Sequence, residues 1–448
     1  MARASRHKKG GRTTPKGTQP ANTKGRGHQH HGPNLVDDAR RALRDTSPIS
    51  LMAMASGIIE LCMPRPLDTA EETENRPVLL ETIHSFLHAS PGLAAVTAVI
   101  GELVPDEHLA AHIRDDVATA KLPAHMPPWI GAMADAEAYD VMKMAHPYND
   151  GDDYLVGVHW PSGEMMSAVV YIDHNIGSAV KDAFLLPDSP EGLRLRFSEM
   201  PAQDVTIEAT SAADAKARIS AAIARGELTE GIEPTESWPA ARSVIEWMIS
   251  LLPEGGTAYD TEPISDADAA AVIDDFVQSS FATGLELPDE TLRAVVQPLM
   301  WFAHDYVGGD ALRVSPLTVD ILLGDWYVNK VELPTIQMIL LPMILKAWTR
   351  YAHGVRGLPE HMTTETIEAI DRWAPSYVLA VDDRGDIDPR TGEPESSSVD
   401  AGGIIDVEGH EIEPTSIEPT SIDIQSPQVD VIRSPEHEAD ETPEVPEE

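Results

Sequence analysis

Apolar residues recur at helical spacing through most of residues 35–381, and one stretch, 154–175, breaks the pattern with a dense run of β-branched and aromatic side chains. Start signals for helices are frequent. Ser47-Pro48 and Ser90-Pro91 each set a capping hydroxyl before a proline at the first helical position, where a missing N–H costs nothing. The periodicity predicts helices over 35–44, 49–62, 78–88, 93–104, 107–120 and 129–145.

The exceptional stretch predicts a hairpin. Residues 154–160 and 165–172 form its arms, and Pro161-Ser162-Gly163-Glu164 supplies a four-residue turn. That register pairs Trp160 with Met165, Val156 with Val169 and Tyr154 with Tyr171. Both faces come out mostly apolar, so the hairpin is expected to be sandwiched between other elements. Residues 193–197 and 205–208 are expected as two further short strands. Helices resume after Thr210, where Ser211 and Asp214 make a capping start and Gly226 a stop. They continue over 240–252, 266–281, 289–306, 316–330, 335–353 and 364–374, with Pro342 kinking or splitting the segment that contains it. The expected class is mainly α with a small β-hairpin or sheet element (α+β). The expected division is a helical domain over 35–205 that contains the hairpin and a second helical domain over 206–381.

The stretch 301–377 carries a recognisable pattern. Trp301-Phe302-Ala303-His304-Asp305-Tyr306-Val307-Gly308-Gly309-Asp310 is followed by Leu312-Arg313-Val314-Ser315-Pro316, Leu322-Leu323-Gly324-Asp325-Trp326 and the segment 341–348. It resembles a C-terminal helical module of uncharacterised actinobacterial hypothetical proteins, some of them fused to a plasmid-encoded open-reading-frame family. Tyr327-Val328-Asn329 departs from that module, which carries a basic residue and a proline there. The resemblance covers about 80 residues and implies a helical module without any assigned catalytic residue.

Charge divides the chain into three blocks. Residues 1–34 hold eight Lys/Arg and no acid, whereas residues 382–448 hold 21 acids and three arginines. Both ends lack hydrophobic periodicity and are expected to be disordered: a basic arm and an acidic tail. Removing +8 and −18 from the total of −41 leaves −31 on residues 35–381, so the body is acidic in its own right. An acidic body fits a basic protein partner. The arm offers phosphate a weak, salt-sensitive contact, but it has no aromatic residue to stack on bases and the body repels a polyanion. A single cysteine, Cys62, excludes an intramolecular disulfide and a thiolate metal cluster within one chain. With no apolar run of the ~18 residues a membrane span needs and no secretory signal, the expected setting is cytoplasmic, without a membrane partner.

Two constellations carry candidate chemistry, in both cases binding of a divalent metal. His84 and His88 lie one turn apart, as do His108 and His112, the latter in line with Asp115 and Asp116. Imidazole pairs at this spacing chelate transition metals, and a single intervening helix would bring the two pairs onto parallel neighbours. The buried stripe of that second helix is Leu109, Ile113 and Val117, which leaves His108 and His112 on its flank. At the open end of the hairpin, the register above sets Asp173 opposite Asp152 and His174 opposite Gly151, gathering Asp150, Asp152, Asp153, Asp173, His174 and Asn175, with Lys181 and Asp182 close behind. Oxygen-rich clusters of this kind hold Ca²⁺ or Mg²⁺, or seat a general base beside a metal-bound water. His159, at the other end of the strand, cannot join them. The competing view is that these are ordinary Asn/Asp/Gly turns. His28, His30 and His31 on the arm have no fixed geometry. There is no Gly-x-Ser-x-Gly, no phosphate loop and no dinucleotide fingerprint. The sequence therefore favours a non-enzymatic interaction protein, with a metal-dependent hydrolase-like enzyme on the Asp/His cluster or on the helical His pairs as the alternative and weak nucleic-acid association as the lesser one.

Overall fold

The computed structural model describes residues 35–45, 47–123, 126–198, 204–229, 235–259, 264–308 and 310–384. The basic arm, with its histidine tract, and the acidic tail beyond Arg384 lie outside the described residues.

The chain is mainly helical around one five-stranded antiparallel sheet. Helices α1 (Leu35–Ala42), α2 (Ile49–Cys62), α3 (Ala70–Asn75), α4 (Leu79–Ala89), α5 (Pro91–Leu103), α6 (Glu107–Thr119) and the single turn α7 (Pro128–Gly131) come first. Strands β1 (Glu137–Ala145), β2 (Gly151–His159), β3 (Met165–Asp173) and β4 (Ala179–Leu186) follow, then α8 (Pro190–Ser198) and β5 (Thr206–Ala209). The spatial order is β4-β3-β2-β1-β5. Helices α9 (Ala212–Leu228) and α10 (Trp238–Ser250) complete this part. The remainder is helical: α11 (Asp266–Gln278), α12 (Ser280–Thr283), α13 (Asp289–Trp301), α14 (Pro316–Ile321), α15 (Tyr327–Lys330), α16 (Thr335–Ile339), α17 (Leu341–Arg356) and α18 (Glu360–Asp383). Two π-helical segments, Phe302–Tyr306 and Leu322–Trp326, extend α13 and α14.

The sheet is sandwiched, as its two apolar faces require. Tyr154, Val156 and Val158 from β2 and Trp160 just past its end, with Met166, Ala168, Val170 and Ile172 from β3, join the main core shared with α2, α4, α5, α9 and α10. The opposite face packs Met142, Leu155 and Val169 against Leu193 of α8. A second core, from Ile273 to Val381, is built on Phe276, Trp326, Tyr327, Trp348 and Tyr377. The two cores divide between Leu252 and Ile273. A cut at the expected 205/206 would sever β5, which pairs with β1, from the sheet, and α9 and α10, although they follow it, belong to the first core.

Three local expectations are corrected. Residues 137–145, part of the helix expected over 129–145, form β1 between β2 and β5, because pairing on both edges overrides a weak helical propensity. A bulge there, with Asp140 at φ 46°, shifts the register between Tyr139 and Met142. Residues 193–197, expected as a strand, lie in α8, and the strand β4 replaces them at the sheet edge. The hairpin register is off by one: Gly163, at φ 101°, closes a three-residue loop, and the Trp160 N–H donates to the Glu164 carbonyl at 3.0 Å. Other features match the sequence. Ser90 caps α5, Ser211 caps α9, and Pro342 separates α16 from α17 by opening the latter.

Candidate functional site

The one-residue slip in register decides the strand-end cluster. Asp152 faces Ile172 and Asp173 faces Gly151, so the two acids stand on opposite faces of the sheet. Of the expected set Asp150, Asp152, Asp173 and His174, the structure brings Asp152 and His174 together and sets Asp173 on the other face. Gly151 is obligatory, since a Cβ there would lie 2.5 Å from the Tyr171 ring and 2.7 Å from the Ile172 carbonyl.

Asp152, 1% exposed, anchors a polar network beneath the helices. Its Oδ2 accepts from the Tyr259 hydroxyl at 2.5 Å and lies 2.7 Å from Lys143 Nζ. His174 Nε2 stands 3.5 Å from the same oxygen. Burial alone would raise this carboxyl, but His174, Lys143 and Tyr259 outweigh it and hold the group at about 2. The network continues outward: Tyr259 and Tyr154 share a hydroxyl contact of 3.0 Å, and Arg218 Nη1 donates to Tyr154 while its guanidinium lies 5.1 Å from the centre of the Tyr259 ring. His174 Nδ1 is 2.8 Å from Ser178 Oγ. A carboxylate only accepts, so a ring with its proton on Nε2 faces Asp152 with a donor and accepts a hydrogen bond from the Ser178 hydroxyl at Nδ1. Carboxylate, imidazole and hydroxyl thus stand in series. Yet Ser178 is 6% exposed and packs beneath Gly308, which leaves no approach for a substrate carbonyl at the hydroxyl. Asp152 Oδ1 has no partner among the described residues.

Asp150 serves a different purpose. The buried Arg313 donates to the Asn149 carbonyl at 3.2 Å and to Asn175 Oδ1 at 3.0 Å, and approaches Asp150 Oδ1 at 3.5 Å. It also binds the Val307 carbonyl. Ser315 Oγ donates to Asp150 at 2.8 Å. Alongside, the Tyr148 hydroxyl donates to the Met362 carbonyl at 2.7 Å, and Arg356 to the Pro147 carbonyl at 2.8 Å. The β1–β2 and β3–β4 loops are therefore the joint between the sheet and the second core. Burial raises Asp150 against the opposing pull of Arg313 and Ser315.

The remaining acids sit apart. Asp173 accepts from the Asn175 N–H at 2.8 Å and caps a 3₁₀ turn, and burial raises it. Asp182 accepts from the Thr235 and Ser237 hydroxyls. Burial, reinforced by the Asp152 and Asp182 charges, pushes Asp153 up to about 7. His159 stays at the far end of the hairpin beside Glu137, 3.8 Å away.

The helical histidines divide in half. His84 of α4 reaches across to α6, with Nε2 at 3.0 Å from Asp116 Oδ2, and His112 Nε2 lies 3.8 Å from the same oxygen. Among the described residues, these three are the one group of His, Cys, Asp or Glu whose ligand atoms all lie within 4.8 Å of one another. His88 and His108 are exposed, lie one turn along their helices from His84 and His112, and do not belong to this group.

Lys143, Tyr259, Arg218, Ser178 and Arg313 all escaped the sequence reading. Their only sequence signal was residue type, since their partners lie between 4 and 164 positions away. Comparisons with protein-family models, with curated proteins and with solved structures returned no match to this chain. Among the described residues, no helix is long and apolar enough to cross a membrane.

Proposed function

We propose that this chain is a non-enzymatic interaction protein of the cytoplasm whose acidic body binds a basic protein partner. The observation that carries this reading is the net charge of −31 on residues 35–381. Exposed acids such as Glu71, Glu72 and Glu74 on α3, Asp266 and Asp268 on α11, and Asp289 and Glu290 on α13 distribute that charge over both halves. A field of one sign speeds encounter with a partner of the other and is screened by salt. The strand-end acids support the same reading, because Asp150, Asp152, Asp173 and Asp182 each accept from groups of this chain. These bonds engage the acids in holding the fold.

The test is capture of partners by the full chain at ~0.15 M salt, where charges act over about 8 Å, and again at ~1 M, where they act over about 3 Å. Recovery of proteins of net positive charge, released by the higher salt and still recovered after deletion of residues 1–34 and 385–448, is expected. Recovery of nothing at the lower salt, with or without the two ends, overturns the proposal.

A further inference from the structure

We propose that His84, His112 and Asp116 form a three-ligand Zn²⁺ site on the outer face of α4 and α6. The donor set is two imidazoles and a carboxylate, the type that leaves a fourth position for water. Tetrahedral zinc with bonds of ~2.0–2.1 Å holds its ligand atoms about 3.3–3.4 Å apart. The separations of 3.0 Å for His84–Asp116 and 3.8 Å for His112–Asp116 bracket that value, so small side-chain rotations bring the donors into place.

The scaffold beneath is rigid where it matters. Ile83 and Ile113, each the chain neighbour of a ligand, are fully buried in the core and fix the backbone of α4 and α6. Gly101 permits the close approach of α5 and α6, since a Cβ there would meet the Ile113 side chain at 3.1 Å. Asp106 caps α6 by accepting from the His108 and Leu109 N–H groups at 2.9 Å each. On this base His112 and Asp116 are one turn apart on one helix face, and His84 closes the triangle from the next helix. The His side chains are more than half exposed and Asp116 about a quarter, so the ion enters from solvent and keeps a water.

The site is independent of the acidic-body reading: a partner could bind without zinc, and zinc without a partner.

Calorimetric titration of the full chain with ZnCl₂, read as stoichiometry and affinity, tests it. His28, His30 and His31 compete for metal, so the full chain carrying His28→Ala, His30→Ala and His31→Ala is titrated in parallel. That variant is expected to keep one equivalent of Zn²⁺. Adding His84→Ala and His112→Ala to it should remove that equivalent with the far-ultraviolet circular dichroism unchanged, since both side chains are exposed. Asp116→Asn, close in shape, should weaken binding at least tenfold. The proposal is overturned if the arm variant takes up no zinc, or if either the double-histidine or the Asp116→Asn form binds zinc as tightly as its parent.

Discussion

Two gatherings of histidine and aspartate, one at the strand ends and one on the helix surface, use the same side chains to opposite ends. At the strand ends, Asp152 is 1% exposed and His174 5%, and lysine, tyrosine, serine and arginine hydroxyl or cationic groups surround them. On the helices, His84 and His112 are more than half exposed and meet one carboxylate. Burial makes an unpartnered charge costly, so the interior acids and bases are spent on one another and hold the fold. Exposure removes that demand and leaves donors with spare capacity. Which cluster is structural and which is open to a ligand follows from dielectric surroundings, not from residue type.

The comparison breaks if the buried cluster proves dispensable. Arg313→Ala leaves Asp150 without its counter-charge and unpins two loops from the second core, and Asp152→Ala strands Lys143 beside Tyr259. Each is expected to destabilise by about 3–5 kcal/mol in urea unfolding, and a loss under 1 kcal/mol would show these groups to be idle. Asp153 sharpens the contrast through pH. Its folded-state value of about 7 lies above its ordinary 3.8, so the carboxyl is protonated in both states below ~4 and carries no penalty there. Between those values the unfolded chain releases the proton while the folded chain keeps it, and stability falls until about pH 7. Asp153→Asn should therefore be neutral at pH 4 and stabilise by on the order of 2–4 kcal/mol at pH 8. Equal midpoints at pH 8 would refute that. Asp152 has the reverse sign: held at about 2, it stabilises above 3.8, and that contribution is lost as pH falls toward 2.

Smaller effects complete the series. Tyr148→Phe removes the bond to the Met362 carbonyl and should cost about 1 kcal/mol, read as a shift in urea midpoint with unchanged slope. A changed slope would mean the second core detaches separately. His84→Ala and His112→Ala should move stability by less than ~0.5 kcal/mol without metal, and should abolish any rise in melting temperature that zinc produces in the parent chain. A large loss without metal would make the helical cluster as structural as the buried one.

Much of the helical architecture is legible in local chemistry. Ser90, Ser211, Ser265 and Ser315 mark helix starts and all four accept from the N–H three residues on. The dense apolar run 154–172 announces a buried hairpin. The chain 137–145 misleads because Ala, Met and Lys suit a helix, and only partners on both edges make it a strand. His84 and His112 were legible as donors by spacing, but Asp116 as their common partner required α4 and α6 to be placed. The strand-end acids were legible as a cluster, though not its division.

By itself, the sequence determined what depends on neighbours within a few residues: caps, helix periods, the hairpin, the acidic charge of the body and the single Cys62. Tertiary structure alone decided what depends on distance in space. Gly163 in a left-handed conformation set the register that parts Asp152 from Asp173. Arg313, 163 positions from Asp150, became the joint between two cores only when the loops closed on it. Charged groups reveal their role through what surrounds them, because desolvation and pairing act over ångströms in space irrespective of separation along the chain.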